Sequence, residues 1–243
     1  MKIELSRSTN PNNPINKSCL KKVESYDGLD AGGEIDIYLY DENKLLGRIY
    51  GCLLPDKAGF LIISFYSQNL SLEKKEDVLR EAVNYIFDIK KMGQRILEIH
   101  ANTLESHIDV FTLKHLGFFA QDDSAPFFKK LNPNYVSIVS ALAEDKEAYE
   151  TLINRYNRSV SLATKRRDYF SNIIKNLNYF LKDPSTPAKD IERLTGEQKY
   201  YQEAIDALGN LEKVELDEEK KEVINDKDRY YRENRKLWFW KTI

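Results

Sequence analysis

The chain is poor in the residues that mark secreted, membrane-spanning or metal-stapled proteins. Its 243 residues hold two cysteines, Cys19 and Cys52. A single pair builds neither a disulfide framework nor a cysteine metal cluster, so both thiols are expected to be inert and buried. Long apolar runs are missing too. The strongest, Phe60 to Phe65, falls far short of the roughly 20 residues a helix needs to cross a bilayer, and the opening MKIELSRSTNPNN has no apolar run after Lys2 as a secretory signal would. A cytoplasmic protein without a membrane partner is expected. Nor does charge of one sign dominate: residues 1–132 carry 17 Lys and Arg against 19 Asp and Glu, and residues 133–243 carry 20 against 20. Without a basic excess in either part, nucleic acid is not an expected partner.

What is present is a folded composition, 42% hydrophobic and 31% charged, arranged in two kinds of periodicity. Residues 6 to 33, rich in Asn, Ser, Gly and Pro, read as loop with room for a short helix near Leu20. Glu34 to Asp41 then alternates Ile35, Ile37 and Leu39 against polar neighbours, as a half-buried strand does. Leu45 to Leu54 is the returning strand, and Phe60 to Tyr66 (FLIISFY) reads as a strand covered on both faces. From Ser71 the apolar period lengthens to three and four residues, which predicts a helix capped by Ser71 and ended by Met92-Gly93. Arg95 to Ala101 predicts a strand, Leu104 to Leu116 a helix closed by Gly117, and Phe127 to Leu131 a last strand.

This order, with FLIISFY, the helix after it, RILEIHAN and the HLGF ending at His115 to Phe118, resembles the GNAT superfamily of N-acetyltransferases over roughly residues 34–131. The resemblance implies a mixed, mostly antiparallel sheet with helices and acetyl-CoA as cofactor. Its pyrophosphate would sit on backbone N–H groups of a Gln/Arg-x-x-Gly-x-Gly/Ala loop at a helix N-terminus. The residues implied for that role are Tyr66, Gln68, Asn69 and Ser71, with Asn102 after the following strand. The chain departs from the family pattern here, because Ser67 to Glu76 contains no glycine and brings Glu73, Glu76 and Asp77 toward the phosphates, with Lys74 and Lys75 in partial compensation. A second departure is Leu113, which stands where family members often place a proton-donating Tyr, four residues before Gly117.

Other polar residues give no strong pattern. His100, His107 and His115 lie seven and eight apart, outside the spacing by which one helix face offers two metal ligands, so structural or surface roles and no metal are expected. Asp36 suits either a solvated strand face or an acceptor for a substrate amine. No catalytic residue is assigned.

The second half, residues 133–243, is the more regular. Tyr135, Leu142, Tyr149, Tyr156, Ala163, Phe170 and Leu177 recur every seven residues, and Val139, Lys146, Ile153, Val160, Arg167, Ile174 and Leu181 follow four behind. The spacing predicts one helix from Ser137 to Lys182, with Lys146 and Arg167 as polar interruptions that set register or partner or snorkel to the edge. Pro184 stops it, and Thr186 with Pro187 starts the next helix, which Gly209-Asn210 breaks. Apolar pairs recur at seven again from Asp217, and Tyr230, Trp238 and Trp240 close the chain as aromatic candidates for self-docking or partner binding. The fold class expected is therefore α+β, a GNAT-like domain over residues 1–132 followed by an all-α coiled-coil hairpin or helical bundle over residues 133–243. The function expected is a protein-interaction module with lost catalysis, its partner another protein or its own copy as a homodimer. The competing expectation is an acetyl-CoA-dependent N-acyltransferase with an atypical loop.

Overall fold

The computed structural model describes residues 1–8, 34–54, 59–67, 70–88, 92, 95–120, 126–142 and 146–216, and the structural statements below concern these. Alternation builds the sheet. Strand β2 (Glu34–Asp41) buries Ile35, Ile37 and Leu39 and turns at Glu42-Asn43 into β3 (Lys44–Leu54), which pairs antiparallel with β4 (Gly59–Ser67). An edge strand, β1 (Lys2–Ser8), pairs with β2. Residues 6 to 8, expected as loop, therefore belong to a strand, and the rest of the expected loop, residues 9–33, lies outside the described residues. Two inward residues, Ile3 and Leu5, are too few to announce a strand by period alone.

Helix α1 (Leu72–Phe87) starts at the expected cap, where Ser71 Oγ accepts the Lys74 N–H, and lays Val78, Leu79, Ala82, Val83 and Ile86 on the sheet. It stops at Phe87, five residues before Met92, because Asp88 takes up extended backbone. Strand β5 (Glu98–Asn102) then runs parallel to β4, β7 (Phe127–Leu131) antiparallel to β5, and a two-residue β6 (Phe119–Ala120) lies outside it. The sheet order is β1-β2-β3-β4-β5-β7-β6, mixed and mostly antiparallel as expected.

The helix expected over Leu104 to Leu116 is shorter, α2 (Val110–His115). Asn102 is the reason: its side chain accepts the Leu104 N–H, and its carbonyl accepts those of Glu105 and Ser106. The resulting turn passes through His107 at a φ of 58° before Asp109 caps α2 by accepting from the N–H and the hydroxyl of Thr112. Side chains of this kind compete with helix for the backbone.

The two faces of the sheet are covered differently. On one, α1 and α2 close a core with Ile35, Ile37, Ile49, Phe60, Ile62 and Ile99. Over β5, β7 and β6 the other receives the helical half, which consists of α3 (Tyr135–Leu142), α4 (Lys146–Lys182) and α5 (Ala188–Leu208). The single helix expected from Ser137 to Lys182 is thus two helices. Along α4, about 55 Å long at 1.5 Å per residue, the seven-residue series holds: Tyr156, Ala163, Phe170 and Leu177 are buried. Asp183 accepts from the N–H and hydroxyl of Ser185 and turns the chain. Thr186 then bonds back to the Phe180 carbonyl, so Pro187 rather than Thr186 takes the cap position of α5.

Helix α5 returns antiparallel to α4 and ends at Gly209, after which residues 210–216 lie along α4. Asn157 brackets this segment, its amide donating to the Val214 carbonyl and accepting the Val214 N–H. The heptad pairs expected from Asp217 onward lie outside the described residues. The base of the hairpin lies down on the sheet: Leu97, Phe119 and Leu131 share one core with Leu152, Ile153, Tyr156 and Val160. Asn132, buried at the passage between the two halves, donates to the carbonyls of Ile96 and Leu97 and accepts from Asn134.

Candidate functional site

Three places gather functional groups. The first is the edge where the parallel strands β4 and β5 both end, because open sheets bind ligands outside the carboxyl ends of such strands. Topology brings Tyr66 at the end of β4, Ser71 at the cap of α1 and Asn102 at the end of β5 to this edge. Gln68 and Asn69 lie outside the described residues. Three polar groups at this edge have partners within the chain: Ser71 with Lys74, Asn102 with its own turn, and the Phe65 N–H with the Ser106 carbonyl at 2.9 Å, which bridges the two strand ends directly. Tyr66 is more than half exposed, and Leu113 is fully buried in the core. Glu73 stands in the first turn of α1, where it opposes an anion. Asp36, on the other side of β4, has its own partner, the Arg48 guanidinium at 2.6 Å, which also lies over the Tyr38 and Tyr50 rings.

The second place is a buried charge cluster under α4. Glu98 receives both Nε and Nη2 of Arg155 at 2.9 Å each, and His100 Nε2 lies 3.0 Å from the same Oε2 that accepts Arg155 Nη2. Beside them Lys129 donates to Ser159 Oγ at 2.6 Å and passes over the Phe119 ring. Burial pushes the Glu98 carboxyl up, but Arg155, with Lys129 and His100, outweighs it and holds the group well below the usual carboxylate range. A carboxylate so deeply paired is a fastener between sheet and helix, with nothing left to abstract a proton. The strand pattern hides it, since Glu98 and His100 alternate with Ile99 and Ala101 as a solvated face would; Arg155, one position before the seam residue Tyr156, is the only clue.

The third place is the junction of α1, α2 and α5. His115 Nδ1 lies 2.9 Å from Glu76 of α1, its Nε2 lies 2.8 Å from Glu203 of α5, and its ring stacks on Tyr200 at 4.9 Å. Tyr200 donates to the Phe111 carbonyl, and burial pushes its hydroxyl up. Gly117 ends α2 at a φ of 77°, and a Cβ there would meet the Ala207 carbonyl oxygen at 2.0 Å, so a side chain is excluded by conformation and by the close approach of α5 together. Lys130 donates to the Leu116 and Ala207 carbonyls at the C-terminal ends of α2 and α5, and burial, then the Arg80 charge, lowers its ammonium to about 8. The HLGF ending quoted for the resemblance is the surface on which the returning helix docks.

Of the residues expected to interact, Lys146 opens α4 and pairs with Glu150, and Arg167 donates to the Gly209 carbonyl, both within the chain. Tyr230, Trp238 and Trp240 lie outside the described residues. Exposed aromatic rings are found at Tyr169, Tyr179 and Phe180 of α4, with Ile191 on the returning helix, and also at Tyr66 of β4 and Phe111 of α2. No helix among the described residues is long and apolar enough to cross a membrane, and no group of three or more His, Cys, Asp or Glu among them is placed to hold a metal ion.

No family model and no curated protein sequence matches the chain. The solved structures that match include an aminoglycoside 6'-acetyltransferase of type Ii, similar over 53% of this chain and 96% of its own, at 16% sequence identity and a TM-score of 0.32.

Proposed function

We propose that the chain acts as a protein-interaction module, with a GNAT-like domain over residues 1–132 that has lost catalysis and a helical arm over residues 133–243 that presents a binding surface in the cytoplasm. The observation that carries this reading is the arm's asymmetry. Its base is riveted to the sheet by Arg155, Lys129 and a shared core, while its far end shows Tyr179, Phe180 and Ile191 to solvent. A rigid mount with exposed aromatics at the tip is a good display for a protein partner or a second copy, because aromatics supply large contact area at small entropic cost. The engagement of the Ser71 and Asn102 side chains in a helix cap and a turn supports the loss of catalysis.

The test cannot be a cut at Asn132, which would strip the cover from Glu98 and from Leu97, Phe119 and Leu131. The double substitution Tyr179→Ser and Phe180→Ser in the full chain is the right comparison: the reading expects partner capture or self-association to be lost with the fold intact. The second reading is an acetyl-CoA-dependent N-acyltransferase that uses the amides of residues 69–72, favoured by the meeting of β4, β5 and the α1 cap at one edge. Calorimetric titration with acetyl-CoA separates the two. Micromolar binding abolished by Ser71→Trp would overturn the loss of cofactor; heats no larger than dilution would support it.

A further inference from the structure

We propose that the outer face of α4, midway along the arm, is a track for single-stranded nucleic acid, with Arg158, Lys165 and Lys175 on the phosphates and Tyr169 as a platform for a base. The equal count of charges over residues 133–243 averages two opposite stretches. Residues 146–182 carry eight Lys and Arg against three Asp and Glu, and residues 183–222 carry six against twelve. Position sharpens the difference. Helix α4 buries its seam, Tyr156, Ala163, Phe170 and Leu177, and the face opposite reads Arg158, Lys165 and Asn172 at seven-residue steps, with Tyr169 and Asn176 four residues after the last two. All five are exposed, Lys175 and Lys182 flank them, and from Arg158 to Lys182 the one acid is Asp168.

Elsewhere in the hairpin exposed cations are neutralised on their own helix, Lys146 by Glu150, Arg193 by Glu197 and Lys199 by Glu203. Among the described residues Arg158, Lys165, Lys175 and Lys182 have no carboxylate within ion-pair reach. Arg166 lies over the Tyr169 ring, 5.7 Å from its centroid. Burial, and then the Arg166 charge, lowers the Lys114 ammonium of α2, so a cation of the sheet domain adds to the same positive surface. Tyr169 is 55% exposed, and an open ring backed by a guanidinium is a surface on which an unpaired base of any sequence can stack. From Arg158 to Lys175 the face runs about 25 Å at 1.5 Å per residue, the length of roughly seven nucleotides at about 3.4 Å each. Asn172 and Asn176 stand beside that path as amides, able to donate to and accept from base edges. An anionic membrane fits less well, because the face lacks the apolar residues an interfacial helix buries. A duplex also fits less well, because its bases are stacked on one another and leave the Tyr169 ring uncovered. The track stops short of Tyr179 and Phe180 and makes no use of the tip.

Fluorescence anisotropy of a labelled oligothymidylate about twelve nucleotides long, titrated with the full chain, tests this. Micromolar affinity is expected at about 50 mM salt, weakening about twentyfold by about 200 mM, the dependence that roughly three engaged phosphates give. Arg158→Gln combined with Lys165→Gln should weaken binding and make its salt dependence shallower. Tyr169→Ala should weaken binding by about tenfold and leave the salt dependence unchanged, a separation that a purely electrostatic contact would not produce. Tyr179→Ser combined with Phe180→Ser should bind as the unaltered chain does. The substituted residues are exposed, and urea denaturation of each variant checks that the fold is kept. Absence of binding at tens of micromolar protein would overturn the proposal. So would tighter binding of a duplex of the same length, or equal binding of a glutamate-rich peptide of the same charge with no effect of Tyr169→Ala, which would assign the face to an acidic protein.

Discussion

The base and the tip of the helical arm are made of the same heptad pattern and do opposite things. At the base, Leu152, Ile153, Tyr156 and Val160 pack on sheet residues, and a buried Glu98–Arg155 pair crosses the interface. At the tip, beyond Phe170, the buried positions thin to Leu177 and Leu194, the ion pairs are exposed ones such as Arg193–Glu197, and Tyr179 and Phe180 face solvent. Periodicity alone therefore tells which side chains point inward along a helix and is silent on what they meet. The base is stabilised by a third layer; among the described residues the tip has only its antiparallel neighbour.

The comparison predicts that the base will break hardest at its charge pair. Arg155→Met leaves Glu98 buried without its main counter-charge, a loss on the order of 3–5 kcal/mol that urea denaturation would read. Adding Glu98→Gln should restore most of it, because the cost belongs to the stranded charge. Acid titration gives a second view. The Glu98 carboxyl is held below its unfolded value, so its contribution is complete above the unfolded carboxylate range and is lost as pH falls through the folded value. Arg155→Met should flatten that acid limb.

Packing should show the same gradient with a smaller amplitude. Leu152→Ala opens a cavity where three layers meet and should cost about 2–5 kcal/mol, whereas Leu177→Ala, near the tip, should fall at or below the bottom of that range. Equal costs at the two positions would mean that the hairpin is as well supported at its tip as at its base. Gly117→Ala probes the docking of α5 from the other side. Its left-handed backbone alone should cost roughly 1–3 kcal/mol, and the displaced Ala207 carbonyl should add a local loss of α5 protection that Leu177→Ala does not share.

Much of this was legible beforehand, and the gaps have physical causes. Strands β2 to β5, the Ser71 cap and the buried seam from Tyr156 to Leu177 follow from local period and capping. Strand β1 and the two-residue β6 were missed because each presents too few inward residues to make a period. The helix at Leu104 was overextended because the turn built by Asn102 outcompetes a run of acceptable helix formers. Glu98, Arg155, His115 and Glu203 were invisible as partners for a different reason: each pair is brought together by the docking of a helix on an element distant in sequence, across 57 residues for Glu98–Arg155, and no spacing rule reaches that far. The strand-end residues Tyr66, Ser71 and Asn102 lie at one edge; that the side chains of Ser71 and Asn102 are engaged in a helix cap and a turn was not readable from their spacing.

The smallest stability effect should come from the tip, and it carries the most functional information. Tyr179 is nearly three-quarters exposed and Phe180 about half, and their rings pack only edge to face on each other at 5.8 Å. Replacing both by Ser removes little buried area, so the unfolding free energy read by urea should change by no more than about 0.5 kcal/mol per residue. Association should respond differently. A second copy is the occupant with the fewest requirements, since one patch serves both partners of a two-fold dimer, and light scattering of the unaltered chain at roughly tens of micromolar, the range where weak dimers form, should show a mass rising with concentration. The Tyr179→Ser, Phe180→Ser chain should then stay monomeric at the same stability. A strictly monomeric mass for the unaltered chain would refute the dimer and assign the exposed aromatics to a different protein; a dimer that survives the double substitution would move the contact away from the tip and break the division between base and tip on which the prediction rests.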